Sequence, residues 1–187
     1  MNDSDFKAHM SFADTQAKER WLCIDPGTTK TGWVIFDPLA EKPVEAGWED
    51  NATVLWRIEN MNFHDRVIME TFAAQGMPLG DSSLQTVRWE GRFIERALMS
   101  RGIEVDHITR RAIKIAICGS SRAKDSNIRA AMVDMYAFAW SDIGNGLGVK
   151  DNPSPLACLR SGKGATAHTF SALAVAAAWR IEHWRRP

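Results

Sequence analysis

The 187-residue chain has no net charge, only three cysteines and no long apolar run. Each absence narrows the reading. Cys23, Cys118 and Cys158 are odd in number and far apart, so they read as core thiols of a reducing compartment, not as a disulfide set or a zinc site. No apolar stretch approaches the ~20 residues a membrane span needs. The first nineteen residues are polar and carry both signs of charge, unlike a signal or transit peptide. They are expected to form a flexible extension, with one domain over residues 20–187, and the location expected is cytoplasmic. There is no internal repeat and no linker composition.

What is present is a core. Hydrophobic residues make up 45% of the chain and there are eight Trp, enough for a single folded domain. The zero net charge hides an asymmetry. From Arg88 to Arg129 there are ten Lys or Arg against five acids, while the N-terminal part is acidic. A basic half of this kind is the footprint of a phosphate-binding face.

The most informative stretch is Trp21 to Asp37, WLCIDPGTTKTGWVIFD. Two apolar runs flank a Gly-containing turn, which predicts a hairpin of buried strands. Asp25 stands at its mouth, where Gly27 and Gly32 are expected to let backbone approach a ligand closely. Further strands are expected over 43–48, 66–72 and 103–108. Helices are expected over 52–62, from Ser83 to a stop at Gly102, over 110–117, over 125–140 and from Ala167 to Trp184. On the second of these, Leu84, Val87, Phe93, Ile94, Ala97 and Leu98 fall roughly on one face. Residues 141–166 carry too many Gly for a regular element and are expected to form a mobile loop. Three antiparallel strands followed by alternating helices and strands give a mixed sheet covered by helices.

Asp25 and Glu70 both end apolar strands. If those strands are parallel neighbours, the two acids meet at one sheet edge and repel unless a cation lies between them. Magnesium is the economical choice, with Asp25 bridging two ions and Glu70 binding one. On the last helix His168 and Ser171 are three apart, hence on one face. Asp125 reads first as the N-cap of the helix that follows it.

Together the IDPGTTKTGW turn, the strand-end acid of IMETF and the helix HTFSALAVA resemble RuvC-type Holliday-junction resolvases of the RNase H-like superfamily. The segment IKIAICGSSRAKDSNIRAAMVD is similar to the family's lysine-bearing region, most of all in resolvases from bacteriophages. The resemblance covers roughly residues 20–180. It implies an α/β, RNase H-like mixed five-stranded sheet flanked by helices. It also implies magnesium-dependent hydrolysis of junction DNA to a 5′-phosphate, in recombination, repair or phage genome processing, inside the host cytoplasm if phage-encoded.

Carried over by position, Asp25, Glu70 and His168 are the expected ligands of two magnesium ions, for which manganese would substitute. Lys114 and Lys124 approach the scissile phosphate, and Lys124 joins the catalytic set. Ser171 departs from the family, which usually has an acid there, so it is a weak ligand, and Asp125 is the residue that would compensate. Arg110, Arg111, Arg122 and Arg129 are candidate DNA contacts. Phe72 and Met77 are candidate wedges against unstacked bases. A homodimer is expected, with the helix over 84–100 as its interface, and neither a membrane nor a small-molecule cofactor is. The rival readings are a junction-binding protein with little or no cleavage, a nuclease for flaps and forks, and an actin-like or sugar-kinase ATPase. The ATPases share the Asp-x-Gly-Thr-Thr hairpin but need a second copy of it.

Overall fold

The computed structural model describes residues 19–60, 66–73, 80–136 and 165–184. The expected N-terminal extension up to residue 18, Met77, Cys158 and the loop over 141–164 lie outside them. Ten elements follow in order. They are β1 (Trp21–Asp25), β2 (Lys30–Asp37), β3 (Lys42–Asp50), α1 (Asn51–Asn60), β4 (Arg66–Thr71), α2 (Asp81–Arg101), β5 (Val105–Thr109), α3 (Arg110–Cys118), α4 (Asp125–Met135) and α5 (Ala165–His183).

The strands form one sheet in the order β3-β2-β1-β4-β5. The first three are antiparallel neighbours, while β1–β4 and β4–β5 are parallel. β1 is therefore central, and its run is apolar at consecutive positions because both sheet faces are covered. Trp21 and Cys23 join one core with Val34, Phe36 and Ile68. Leu22 and Ile24 join the other with Trp33, Ile35, Val67 and Met69. Side chains alternate between faces with period two.

α5 supplies most of the first core through Phe170 and the run Ala172–Ala178, helped by Ile113 of α3 and by Ile128 and Met132 of α4. α1 and α2 close the second with Val54, Leu55, Ile58, Phe93 and Ala97. Each fully buried Leu, Ile or Phe contributes roughly 1.5–3 kcal/mol. Among the described residues no helix is long and apolar enough to cross a membrane.

The expected α/β mixed sheet is observed, and the differences are local. β5 starts at Val105 because the N–H of Ile103 is taken by the carbonyl of Ala97, 3.2 Å away, in the turn that ends α2. Gly102 closes that helix at φ 64°, a left-handed conformation that favours glycine. The apolar face expected on α2 is narrower than its sequence suggests. Phe93 and Ala97 are buried, but Leu84, Val87 and Leu98 are exposed. Only one side of the middle and later turns meets the core, and Glu90 is buried among them.

Candidate active site

Asp25 is the last residue of β1, opposite Gly32 on β2. The turn between them is fastened from below by Asn51, the first residue of α1. Its backbone N–H donates to the carbonyl of Thr29 at 3.0 Å and its side-chain amide to that of Gly27 at 3.0 Å. Its Oδ1 accepts from the hydroxyl of Thr31 at 2.7 Å. Thr31 and Asn51 are both buried, so these bonds are shielded from water and hold the acid's neighbourhood in one conformation.

Gly32 serves a different purpose from the one expected. A Cβ there would lie 2.4 Å from the backbone oxygen of His168 and 2.9 Å from its Cβ. The bare backbone receives helix α5, not a ligand. Because Gly32 is the partner of Asp25 across the hairpin, docking the helix there brings His168 to the acid. The imidazole Nδ1 lies 2.8 Å from Asp25 Oδ2. Trp48 of β3 runs parallel to the imidazole within 4°, with ring centroids 6.3 Å apart, and Lys30 Nζ sits 4.6 Å from the Trp48 ring centre. The hydrogen bond to Asp25 raises the His168 pKa above its ordinary 6.5, against the opposing effect of partial burial.

Glu70 is next to last in β4. In the parallel pairing Ile24 faces Met69, so Asp25 and Glu70 follow one step on in adjacent strands. Burial first, then the charge of Asp25, pushes the Glu70 carboxyl up to about 7, although Arg110 works against both. The strand end is anchored by Glu90, which accepts from Thr71 Oγ1 at 3.1 Å and from the Phe72 N–H at 3.0 Å. Arg110, first residue of α3, donates to Glu70 Oε2 at 3.1 Å and to Ser171 Oγ at 3.4 Å. Its other terminal nitrogen lies 3.0 Å from Asp125 Oδ1, which Lys114 Nζ approaches at 3.8 Å.

Neither a family model nor a curated protein matches the sequence. Solved structures do. Thermus thermophilus RuvC superposes with a TM-score of 0.58 at 16% identity, covering 87% of this chain and 93% of RuvC. The same protein in complex with a Holliday junction substrate gives 0.57 at 17% identity, with coverage of 87% and 93%. The yeast mitochondrial Holliday junction resolvase gives 0.51 at 9% identity, covering 97% of this chain and 87% of that one. The fold is that of RuvC.

Within this RuvC fold the expected residues fall into two groups and a rim. Asp25 and His168 form the first group, while Glu70, Arg110, Ser171, Asp125 and Lys114 form the second. Lys124, Arg111 and Arg122 are exposed on the rim. The Arg129 guanidinium lies 5.0 Å from the ring centre of Phe170, the core aromatic of α5. Asp125 is not an N-cap. Lys124 holds that position, and its N–H donates to Asn127 Oδ1 at 2.9 Å, which frees Asp125 to face Arg110. Phe72, 39% exposed, lines a cleft of about 350 Å³ together with Thr28, Trp48, Ser83, Thr86 and His168.

Asn51, Trp48 and Glu90 escaped sequence reasoning. Glu90 had a signal, an acid one turn from Phe93 and Ile94 inside an apolar stripe. Asn51 had a weaker one, a helix-starting residue directly after a strand.

Among the described residues no three His, Cys, Asp or Glu side chains stand gathered as a ready-made metal group. The donor chemistry nevertheless fits a hard divalent ion. Burial, and after it the charge of Asp25 at the adjacent strand end, keeps Glu70 partly protonated near neutrality even with Arg110 beside it. A cation shared by both would relieve that repulsion.

Proposed function

We propose that this protein is a divalent-cation-dependent endonuclease that cuts phosphodiester bonds in four-way junctions and other branched DNA. The observation that carries this reading is the convergence of His168 and Asp25 at 2.8 Å, beside Glu70, on the sheet edge of a RuvC fold. One relative with that fold has been solved in complex with a Holliday junction substrate. Homodimers suit such a substrate, because a four-way junction and a paired protein share a two-fold axis.

Asp25, Glu70 and His168 would hold magnesium or manganese. When bound, such an ion polarises the phosphoryl group and lowers the pKa of water. The chain's own residues set the stage for it. His168 Nδ1 faces Asp25 Oδ2 at 2.8 Å, so the imidazole already stands beside the acid it would join at the ion. Trp48 lies parallel to that ring with centroids 6.3 Å apart. Glu70 must be ionised to act as a ligand, and a bound cation would favour that form against the burial that raises its pKa. Lys124, Arg111 and Arg122 on the rim meet neighbouring phosphates, which makes affinity fall steeply with salt. Phe72 stands at the cleft as a wedge for an unstacked base.

The test is cleavage of a synthetic four-way junction, a three-way junction and a linear duplex, with magnesium and with EDTA. Magnesium-dependent cutting of the branched substrates alone, giving 5′-phosphate ends, is the expected result. Asp25→Asn is expected to abolish cutting and keep junction binding. Binding with no cutting by the unaltered protein would favour a junction-binding role instead.

A further inference from the structure

We propose that the guanidinium of Arg110 stands where a second cation would otherwise be needed, so that this enzyme works with one divalent ion and one arginine. The inference rests on the nuclease reading above and concerns how the positive charge at that site is divided.

The argument starts from the oxygen atoms on offer. Three carboxylates belong to the site, those of Asp25, Glu70 and Asp125, and Arg110 links the last two with the hydroxyl of Ser171. Asp25 is met by the imidazole of His168. At the other end the oxygens are already engaged by cations. Asp125 Oδ1 is shared by Arg110 at 3.0 Å and Lys114 at 3.8 Å, and Ser171 Oγ accepts from Arg110 at 3.4 Å. A metal ion entering at this corner would find Asp125 neutralised, Glu70 Oε2 already bonded to Arg110 and a hydroxyl besides, all poor ligands for a hard cation. It would also lie against a guanidinium, which stays protonated at any working pH. At its own corner Asp25 is met by an imidazole, which unlike a guanidinium can give up its proton and offer a lone pair to an ion.

Arg110 is also built to face this way. It is the first residue of α3, directly after β5, and Ile108 on that strand pairs with Glu70. The Thr109 hydroxyl accepts from the Ala112 N–H at 3.2 Å and fixes the helix start. One terminal nitrogen is aimed at Glu70 and the other at Asp125. A planar fork held at both ends keeps its remaining N–H groups in a fixed direction, the arrangement that suits phosphate oxygens. Ser171 fits this scheme because an acid there would set a third carboxylate against the same guanidinium.

In the reaction the oxygen of one water bonds to phosphorus and the P–O3′ bond breaks. The water gives up one proton to solvent and the departing 3′ oxygen takes one up, leaving a 3′-hydroxyl and a 5′-phosphate. Arg110 donates N–H bonds to the phosphoryl oxygens as negative charge collects on them.

The experiment counts bound Mn²⁺ per chain by calorimetry and electron paramagnetic resonance, on the full-length protein with an uncleavable four-way junction. One ion per chain is expected, and none for Asp25→Asn. Arg110→Ala should still bind one ion while cleaving roughly 10²–10³-fold more slowly, the usual loss for one charge-stabilising donor. Arg110→Lys, which keeps the charge and loses the fork, should fall between. The double variant Arg110→Ala, Ser171→Asp should bind two ions and show a second-order dependence of rate on metal. Two ions on the unaltered protein, or full-rate cleavage by Arg110→Ala, would overturn the proposal and leave the nuclease reading intact. Absence of both Mn²⁺ binding and cleavage would remove the two together.

Discussion

Adding one methyl group at position 32 tests how His168 is placed. In Gly32→Ala the new carbon would lie 2.4 Å from the His168 carbonyl oxygen and 2.5 Å from its carbon, where ordinary contact begins near 3.4 Å. The obstacle is backbone, so no rotamer change relieves it, and α5 must move by about 1 Å. That movement disturbs the core, because Ala172 through Ala178 of the same helix are buried in it. Overpacking of this kind costs about 1–3 kcal/mol. A shift of about 1 Å also takes the 2.8 Å contact between Asp25 and His168 beyond hydrogen-bonding range. Misplacement on that scale lowers rates roughly 10²-fold.

The assay is single-turnover cleavage of a four-way junction alongside thermal unfolding. Gly91→Ala is the control, since a Cβ there meets nothing within 4 Å. In mid-helix that change should stabilise by about 0.5–1 kcal/mol and leave cleavage alone. If Gly32→Ala cut and melted like the unaltered protein, the argument that α5 seats on Gly32 would be refuted.

Three further outcomes follow from the geometry. Glu70 has an ordinary pKa of 4.5 when unfolded and about 7 when folded, so the native state holds the extra proton and metal-free stability falls as pH rises from 4.5 through 7. The difference is on the order of 3 kcal/mol. His168, raised above 6.5, adds stability below that pH which is also lost as pH increases. Melting in EDTA should therefore decline from pH 5 to 8, with a shallower decline for Glu70→Gln and recovery on adding Mg²⁺. Parallel curves for the two proteins would reject the Glu70 assignment. Lys124→Ala should reduce turnover more than Arg129→Ala does, whereas Arg129→Ala should lower the melting temperature through its lost contact with Phe170. Equal effects on turnover would reduce Lys124 to general charge. Asp25→Asn should bind junction DNA in a gel-shift assay while producing no cut strands.

The sheet and the meeting of Asp25 with Glu70 were legible because they rest on local pattern. Consecutive apolar residues in β1, β2 and β4 announce strands covered on both faces, and an acid closing two of them announces a shared edge. What escaped depends on contacts distant along the chain. His168 was named through the family resemblance, but no pattern near Gly32 says that a helix will rest there and bring that residue to Asp25 from 143 positions away. Arg110 was one of several basic residues until the fold set it among Glu70, Ser171 and Asp125. The reading of Asp125 as a cap failed for a related reason. Propensity favours Asp at that place, but two cations at the site draw its carboxylate away, and the backbone of Lys124 is capped by Asn127 instead.

The crossing of α5 over β2 divides the molecule into a part that tolerates no editing and a part that does. Any side chain at 32 dislodges the imidazole, so the hairpin and the long C-terminal helix are welded into one machine component. Arg110, Lys114 and Asp125 belong to α3 and α4, short outer helices anchored by Ile113, Ile128 and Met132. Their charges can be exchanged while the sheet stays as it is. New metal requirements or substrate preferences would therefore be engineered from that flank, with the opposite one left untouched.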